Sequence, residues 1–405
     1  MHRQPIFLPR PLSRSALSRI QDRKNRSLHR QLTALPPSPP GQCTRPHAPP
    51  AVNLTSNDYL GLSHHPDILS AATQAANTWG VGATASRLIS GTKRIHSDLE
   101  NALASFKAMP SALAFPTGFQ TNLGALQALA TLGVTFYSDE YNHASIVDAC
   151  KLAKAPTKIF RHRDMDHLRQ LLLHHRSQEG TPVIVTDTVF STTGAKADLP
   201  ALDALSREFD ALLAVDEAHA TGVIGPKGAG LCADTAVRAP LQTATLSKAF
   251  GAAGGFVATT PPLADLLINE ARAFIYTTGL SPVLAAAALQ ALSIIESPEG
   301  ARLRAILHQN AIRLASALRH QGWKVSQETH IVAVILGDPL PAIRAAQALA
   351  RKGVFALPFR PPTVPQGLSL LRLAPSAAHD ETDINHVINA FSAIRDRFLP
   401  SRPGR

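Results

Sequence analysis

Ala211-Leu212-Leu213-Ala214-Val215-Asp216-Glu217-Ala218-His219 runs five apolar residues into two carboxylates and a histidine. An apolar run of this length, bounded by polar residues, reads as a buried strand. Ligands of open α/β sheets bind beyond the carboxyl ends of the strands, which puts Asp216 at a candidate site. Capping of the next element is the ordinary alternative for Asp216 and Glu217. His219, and the glycines Gly222, Gly225, Gly228 and Gly230 beyond it, favour a site.

Working outward, similar apolar runs occur at 112–115, 134–137, 183–186 and 256–258. They alternate with helical patterns at 68–78, 95–106 and 123–132. Alternation of this kind predicts a large, mostly parallel α/β domain, placed over residues 55–281. From Pro282 the pattern changes to long helices and two later strands, at 331–336 and 370–373, which predicts a smaller α+β domain over 282–405. Residues 1–54 read as a basic helix, with apolar spacing Leu17, Ile20, Leu28, Leu32, and a stiff proline-dense connector at 36–50.

The chain has 405 residues, with 40 Lys/Arg against 29 Asp/Glu and a net charge of +11. Nine of those basic residues and one of the acidic ones lie in residues 1–50, so the remainder is near neutral. A nucleic-acid surface calls for a basic patch on a folded domain, ideally with aromatics. Aromatics are 5% of this chain, and no nucleic-acid partner is expected. A local site for an acidic or phosphorylated substrate stays open. No run approaches ~18 uninterrupted apolar residues, so no membrane span is expected. Cys43, Cys150 and Cys232 are far apart and show no ligand spacing. They predict neither a disulfide framework nor a metal site and suit a reducing cytoplasm. Residues 1–30 share the Arg- and Ser-rich composition of transit peptides, but their apolar spacing favours a helix.

Lys248 lies in Thr245-Leu246-Ser247-Lys248-Ala249-Phe250-Gly251, with Gly254-Gly255 just after. Most lysines are solvated, but this one is embedded in small residues and glycines that permit a special backbone. Desolvation there lowers an amine's pKa and makes it a base or an imine-forming nucleophile. A carboxylate such as Asp216 can keep a pyridine nitrogen protonated. An imine-forming lysine and an acidic partner for a ring nitrogen are what pyridoxal phosphate requires. Phe115-Pro116-Thr117-Gly118-Phe119-Gln120-Thr121-Asn122 joins a short strand to a helix, where backbone N–H groups either cradle a phosphate or make an ordinary turn. His143, in Asn142-His143-Ala144-Ser145, could stack on an aromatic cofactor, and Ser191 could hydrogen-bond a cofactor hydroxyl. Gly80-Val81-Gly82-Ala83-Thr84-Ala85 fits the dinucleotide pattern in letters, but it follows a helical stretch rather than a strand. His64-His65 and His174-His175 are adjacent pairs that cannot share a helix face for a metal.

Taken together, these segments resemble the α-oxoamine synthases, a group of fold-type-I pyridoxal-phosphate enzymes. The resemblance runs from about residue 14 to 398. It rests on Ser56-Asn57-Asp58-Tyr59-Leu60-Gly61-Leu62-Ser63-His64-His65-Pro66, Asn142-His143-Ala144-Ser145, Val215-Asp216-Glu217-Ala218-His219-Ala220-Thr221-Gly222 and Thr245–Gly251. It implies an aspartate-aminotransferase-like fold with pyridoxal phosphate as cofactor. Lys248 would be its Schiff-base lysine and Asp216 the partner of the ring nitrogen. His143 would stack on the ring, and His219 and Ser191 would contact its phenolic oxygen. Gly118, Phe119 and Thr245 would hold the phosphate. Thr278 would reach the phosphate of a neighbouring subunit, which implies a homodimer with shared sites. Asn57 and Arg372 would belong to the substrate site, Arg372 facing an amino-acid carboxylate. Arg30 and Thr363 would lie near an acyl-thioester site.

The activity implied is a decarboxylating condensation of an amino acid with an acyl thioester. Arg360-Pro361-Pro362-Thr363-Val364-Pro365 resembles the branch of biotin synthesis, which joins L-alanine to pimeloyl-CoA or pimeloyl-ACP. Ser86-Arg87-Leu88-Ile89-Ser90-Gly91-Thr92 and Leu370-Leu371-Arg372-Leu373-Ala374-Pro375-Ser376 resemble the glycine-using relatives. The proline-rich segment stands where relatives carry a hairpin. A glycine- or serine-using synthase is therefore the second expectation, and a non-catalytic basic binding protein is the reading from a different class. A bacterial cytoplasmic enzyme is expected.

Overall fold

The computed structural model describes residues 9–399, apart from 27, 30–31, 33, 45–48 and 176–178. Its centre is a seven-stranded sheet, ordered Ser111–Phe115, Gly255–Thr259, Leu241–Thr245, Leu212–Asp216, Thr181–Asp187, Val134–Asp139, Thr157–Phe160. Gly255–Thr259 pairs antiparallel with both neighbours, and the remaining pairings are parallel. Strand side chains alternate between faces. Ile184, Leu213 and Val215 enter one core with Leu99, Leu103 and Leu292. Val183, Val185 and Ala214 enter the other with Leu126, Phe136 and Ile146. Burial on both faces explains why these strands read as continuous apolar runs.

The second unit carries a four-stranded antiparallel sheet, ordered Val325–Ser326, Val332–Gly337, Ser369–Leu373, Leu357–Phe359. Its core joins Leu314, Trp323, Val334, Leu349, Leu371 and Phe391.

The packing shifts the boundaries read from the sequence. The helix Pro282–Glu296 belongs to the large core, through Ala288, Leu292 and Ile295, and not to the smaller unit. The next helix, Pro298–His320, spans both cores, with Leu307 in the large one and Leu314 and Leu318 in the small one. Val52 and Leu54 also lie in the small core, and Ala51–Asn53 pairs in parallel with Val354–Phe355. The connector is thus partly a structural piece of the C-terminal unit. It contains a short hairpin after all, with Gln42 opposite Val52 and Cys43 opposite Ala51. The basic helix covers Arg10–Asn25 and stops before Leu28. Its Leu17 and Ile20 are exposed, so the stripe that suggested the helix finds no core among the described residues.

Glu217 points away from the candidate site and is fully buried. It forms an ion pair with the buried Lys107 and accepts the Cys232 backbone N–H at 2.8 Å. Lys107 also donates to the Ala229 carbonyl at 2.6 Å. The pair ties the end of the Asp216 strand to the helix Arg94–Phe106 and to the loop after Gly225. Removing one partner leaves an uncompensated buried charge, which costs ~3–5 kcal/mol. Lys107→Ala is expected to lower the unfolding free energy by about that amount in urea titrations. A loss below about 1 kcal/mol would show that this pair does not anchor the strand end.

Candidate active site

Asp216 ends the central strand and is buried. Its Oδ1 accepts the Ala218 backbone N–H at 2.8 Å and its Oδ2 accepts from Asn122 Nδ2 at 2.6 Å. Asn122 is fixed in turn by Thr243, whose hydroxyl donates to Asn122 Oδ1 at 2.6 Å. Lys248 lines the same cavity, of about 260 Å³, together with His143, His219, Gly118 and Thr245. Burial pulls the Lys248 ammonium down to about 8, against the opposing pull of Asp216 and Asp187.

Neither Asp216 nor Lys248 has an ion-pair partner within 4 Å among the described residues. A buried carboxylate without a cation is costly unless something else completes it. A protonated ring nitrogen would complete Asp216, and an imine-forming carbonyl suits a neutral Lys248. The residues present therefore fit a pyridoxal-phosphate group.

One end of the cavity is formed by the start of the helix Gly118–Ala130, capped by Thr117, whose hydroxyl accepts the Gln120 N–H at 3.1 Å; its free N–H groups would suit a phosphate. A Cβ at Gly118 would come within 3.1 Å of Thr245 Cβ, and one at Gly255 within 2.7 Å of Gly118 Cα. Glycine at both positions lets the helix start sit directly against the sheet. Thr245 Oγ1 bonds Ser247 Oγ at 2.7 Å and donates to the Gly254 carbonyl at 2.8 Å. Phe119 is partly exposed at the cavity.

His143 caps the helix Ala144–Ala153. Its Nδ1 accepts the Ser145 backbone N–H at 3.2 Å and faces Ser145 Oγ at 2.7 Å. Ser145 Oγ accepts from Asn122 Nδ2 at 2.8 Å, so its own proton is directed to His143. His143 is thus neutral with its proton on Nε2, and burial lowers its basicity.

A second polar cluster spans the two units. Tyr59 Oη contacts His219 Nδ1 at 2.7 Å and receives Arg372 Nη2 at 2.9 Å. Arg372 is buried on the small sheet, and it also donates to Asn57 Oδ1 at 3.1 Å and through Nε to the Ser191 carbonyl at 2.5 Å. Its Nη1 has no partner among the described residues. Burial holds His219 well below the usual imidazole range, with Lys248 and Arg372 adding to the effect. Asn57, Ser191, His219, Lys248 and Arg372 line a second cavity of about 220 Å³.

Thr363 lines a separate groove of about 520 Å³ with Arg23, Leu28 and His29. Leu357 and Phe359 line both that groove and the second cavity. Thr278 is exposed, bridged to Ser86, and lines none of these cavities. Arg30 lies outside the described residues. Arg87, in a segment that resembles the glycine users, is a buried structural residue. Its guanidinium holds Glu100 in a two-pronged contact at 2.8 and 2.9 Å. Among the described residues no cluster of three His, Cys, Asp or Glu is placed to bind a metal.

The sequence reading passed over Asp187, Asn122, Tyr59 and His330. Asn122 and Tyr59 stood inside quoted motifs, and Asp187 ends a strand just before Ser191, so position alone could have flagged these three. His330 is fully buried with its ring edge-on to Tyr59 at 4.2 Å, and nothing in the sequence marks it.

Residues 49–391 match the family model "Aminotransferase class I and II", and the chain belongs to that family. A more particular likeness is to 8-amino-7-oxononanoate synthase of Geobacter sulfurreducens, which is 42% identical over 95% of this chain and 98% of its own. Among solved structures, serine palmitoyltransferase from S. paucimobilis, with pyridoxal phosphate and myriocin bound, aligns at TM-score 0.87 and 29% identity. That alignment covers 95% of this chain and 98% of the other. An 8-amino-7-oxononanoate synthase from Francisella tularensis aligns at 0.74 and 28%, covering 86% and 99%. The fold is that of the fold-type-I pyridoxal-phosphate enzymes, as the sequence led us to expect.

The depressed basicity of Lys248 has a direct readout. In the protein alone, acylation of Lys248 by a limiting amine reagent, followed by mass spectrometry, is expected to rise with pH around a midpoint near 8. The neutral amine dominates above that pH. In Asp216→Asn, loss of the anion that favours the ammonium should move the midpoint lower. A midpoint near that of surface lysines would contradict the burial argument.

Proposed function

We propose that this chain catalyses the decarboxylating condensation of L-alanine with a pimeloyl thioester, on CoA or an acyl carrier protein. The products are 8-amino-7-oxononanoate, CO2 and the free thiol, within biotin synthesis. The carrying observation is a buried amine and an unpaired buried carboxylate in one cavity, in a chain so similar to 8-amino-7-oxononanoate synthases.

Pyridoxal phosphate, when bound, supplies an electron-accepting ring conjugated to the amino acid's nitrogen. Lys248 would hold its carbonyl carbon covalently, Asp216 its ring nitrogen, and Gly118, Phe119 and Thr245 its phosphate. His143 would lie against the ring, with His219 and Ser191 at its hydroxyl. Arg372, already oriented by Ser191, Asn57 and Tyr59, offers Nη1 to the alanine carboxylate. Lys248, freed as a neutral amine, takes the Cα proton and later returns one. The groove at Thr363 shares Leu357 and Phe359 with the cavity that Lys248 lines, and the acyl thioester would enter along it. Arg30 would serve the acyl thioester.

The same proposal includes a homodimer with shared sites, in which Thr278 serves the partner's phosphate site. Val81, Ile89 and Tyr276 are 78, 80 and 71% exposed around the Ser86–Thr278 bridge, an apolar patch that suits a subunit interface. A bacterial cytoplasmic location accords with three free, buried thiols. No described helix is long and apolar enough to cross a membrane.

A glycine- or serine-using synthase is the second reading, favoured by the likeness to serine palmitoyltransferase. The Arg87 segment lends it no weight, because Arg87 is committed to Glu100. Competition between isotopically distinct alanine and glycine for limiting pimeloyl-CoA, scored by product mass, separates the readings. One methyl group in a pocket is worth ~1–3 kcal/mol, so alanine product is expected to dominate by at least about fivefold. Dominant glycine incorporation would move the chain to the other branch.

A further inference from the structure

Two carboxyl groups, not one, close the inner end of the cavity. Asp187 ends the strand beside that of Asp216, the two strands run parallel, and the two residues are direct partners in register. Val185 and Ala214, two residues before Asp187 and Asp216, face the same core, so both carboxyl side chains leave that same side of the sheet, and both line the cavity. Asp187 Oδ2 accepts the His143 backbone N–H at 2.6 Å. The Asp187 N–H donates to Asn142 Oδ1 at 2.9 Å, which fixes the residue before His143. Asp187 Oδ1 has no hydrogen-bond partner among the described residues.

These contacts form a circuit around His143. Its backbone is held by Asp187, and its ring is held by Ser145, which Asn122 joins to Asp216. We propose that Asp187 is a positioning residue for this reaction, which sets His143 against the bound ring by capturing its backbone N–H. Asp187 does so as the neutral acid. Burial, then the neighbouring Asp216, holds its carboxyl well above the usual carboxylate range. Two adjacent buried carboxyl groups repel each other as anions, which favours the protonated form of Asp187 beside the carboxylate proposed for the ring nitrogen. With Oδ2 accepting from His143, the proton of Asp187 resides on Oδ1, at the cavity.

The inference rests on the condensation proposed above, and its test separates the two. Asp187→Asn retains an acceptor for His143 and a donor in place of the acid proton. Its kcat is expected to fall by no more than about threefold. Asp187→Ala removes both and lets His143 shift, and misplacements near 1 Å cost up to ~100-fold. Its kcat is expected to fall about thirtyfold or more, while KM for alanine, set by Arg372, changes by less than about threefold. Asp187→Ser, too short to reach the His143 N–H, should follow Asp187→Ala if that variant is poorly folded. Imidazole nitrogen NMR gives a readout independent of turnover. His143 should show the Nε2–H tautomer in the wild type and in Asp187→Asn, and an averaged pattern in Asp187→Ala. If the wild type forms no 8-amino-7-oxononanoate but the NMR pattern holds, the proposed reaction fails and the positioning role stands. Equal damage in Asp187→Asn and Asp187→Ala, or near-normal kcat in Asp187→Ala with an unchanged His143 pattern, would overturn it.

Discussion

Asp216 and Lys248 share one buried cavity without touching each other, and no described residue neutralises either at close range. Removing an ionised group from water costs several kcal/mol even after relaxation. A fold that was only a scaffold would lose stability by keeping such a pair apart. The surrounding structure does keep them apart. Asn122 and the Ala218 N–H fix the carboxylate, and Lys107 with Glu217 anchors the strand end behind it. The glycines at 118 and 255 bring a helix start against the sheet at the edge of the same cavity. The space between the carboxylate and the amine is thereby kept open, as pyridoxal phosphate would need.

The second constraint is that the site lies where two cores meet. Arg372 comes from the small sheet, yet its hydrogen bonds go to Ser191, Asn57 and Tyr59, and Tyr59 belongs to the large core. The placement of Arg372, proposed above for the substrate carboxylate, therefore depends on the packing of both units. The helix Pro298–His320, shared by both cores, fixes that relation. Leu357 and Phe359, on the same small sheet, line both the long groove and the cavity that Lys248 lines.

Much of this was legible in the sequence. Strands buried on both faces leave apolar runs, and polar residues follow close after them, so Asp216, Lys248, His143 and the Thr117–Gly118 turn, which line one cavity, could be found by position. Domain boundaries were less legible. The alanine-rich helix Pro282–Glu296 has no polar face to show which core it joins, and it joins the large one. Val52 and Leu54 looked like the end of a connector because a three-residue strand leaves too short a pattern to recognise. Arg87 looked like a substrate-specificity signal, but its buried contact with Glu100 is long-range and leaves no local trace. His330 is silent for the same reason.

The most direct test of the account is to reduce the pyridoxal-phosphate-loaded protein with borohydride and map the modified peptide. Reduction fixes an imine between a lysine and the cofactor at the residue that formed it. The account predicts one phosphopyridoxyl-lysine, at Lys248, in stoichiometric yield, and none in Lys248→Ala. A label spread over surface lysines, or stoichiometric labelling at another position with Lys248 unmodified, would contradict it.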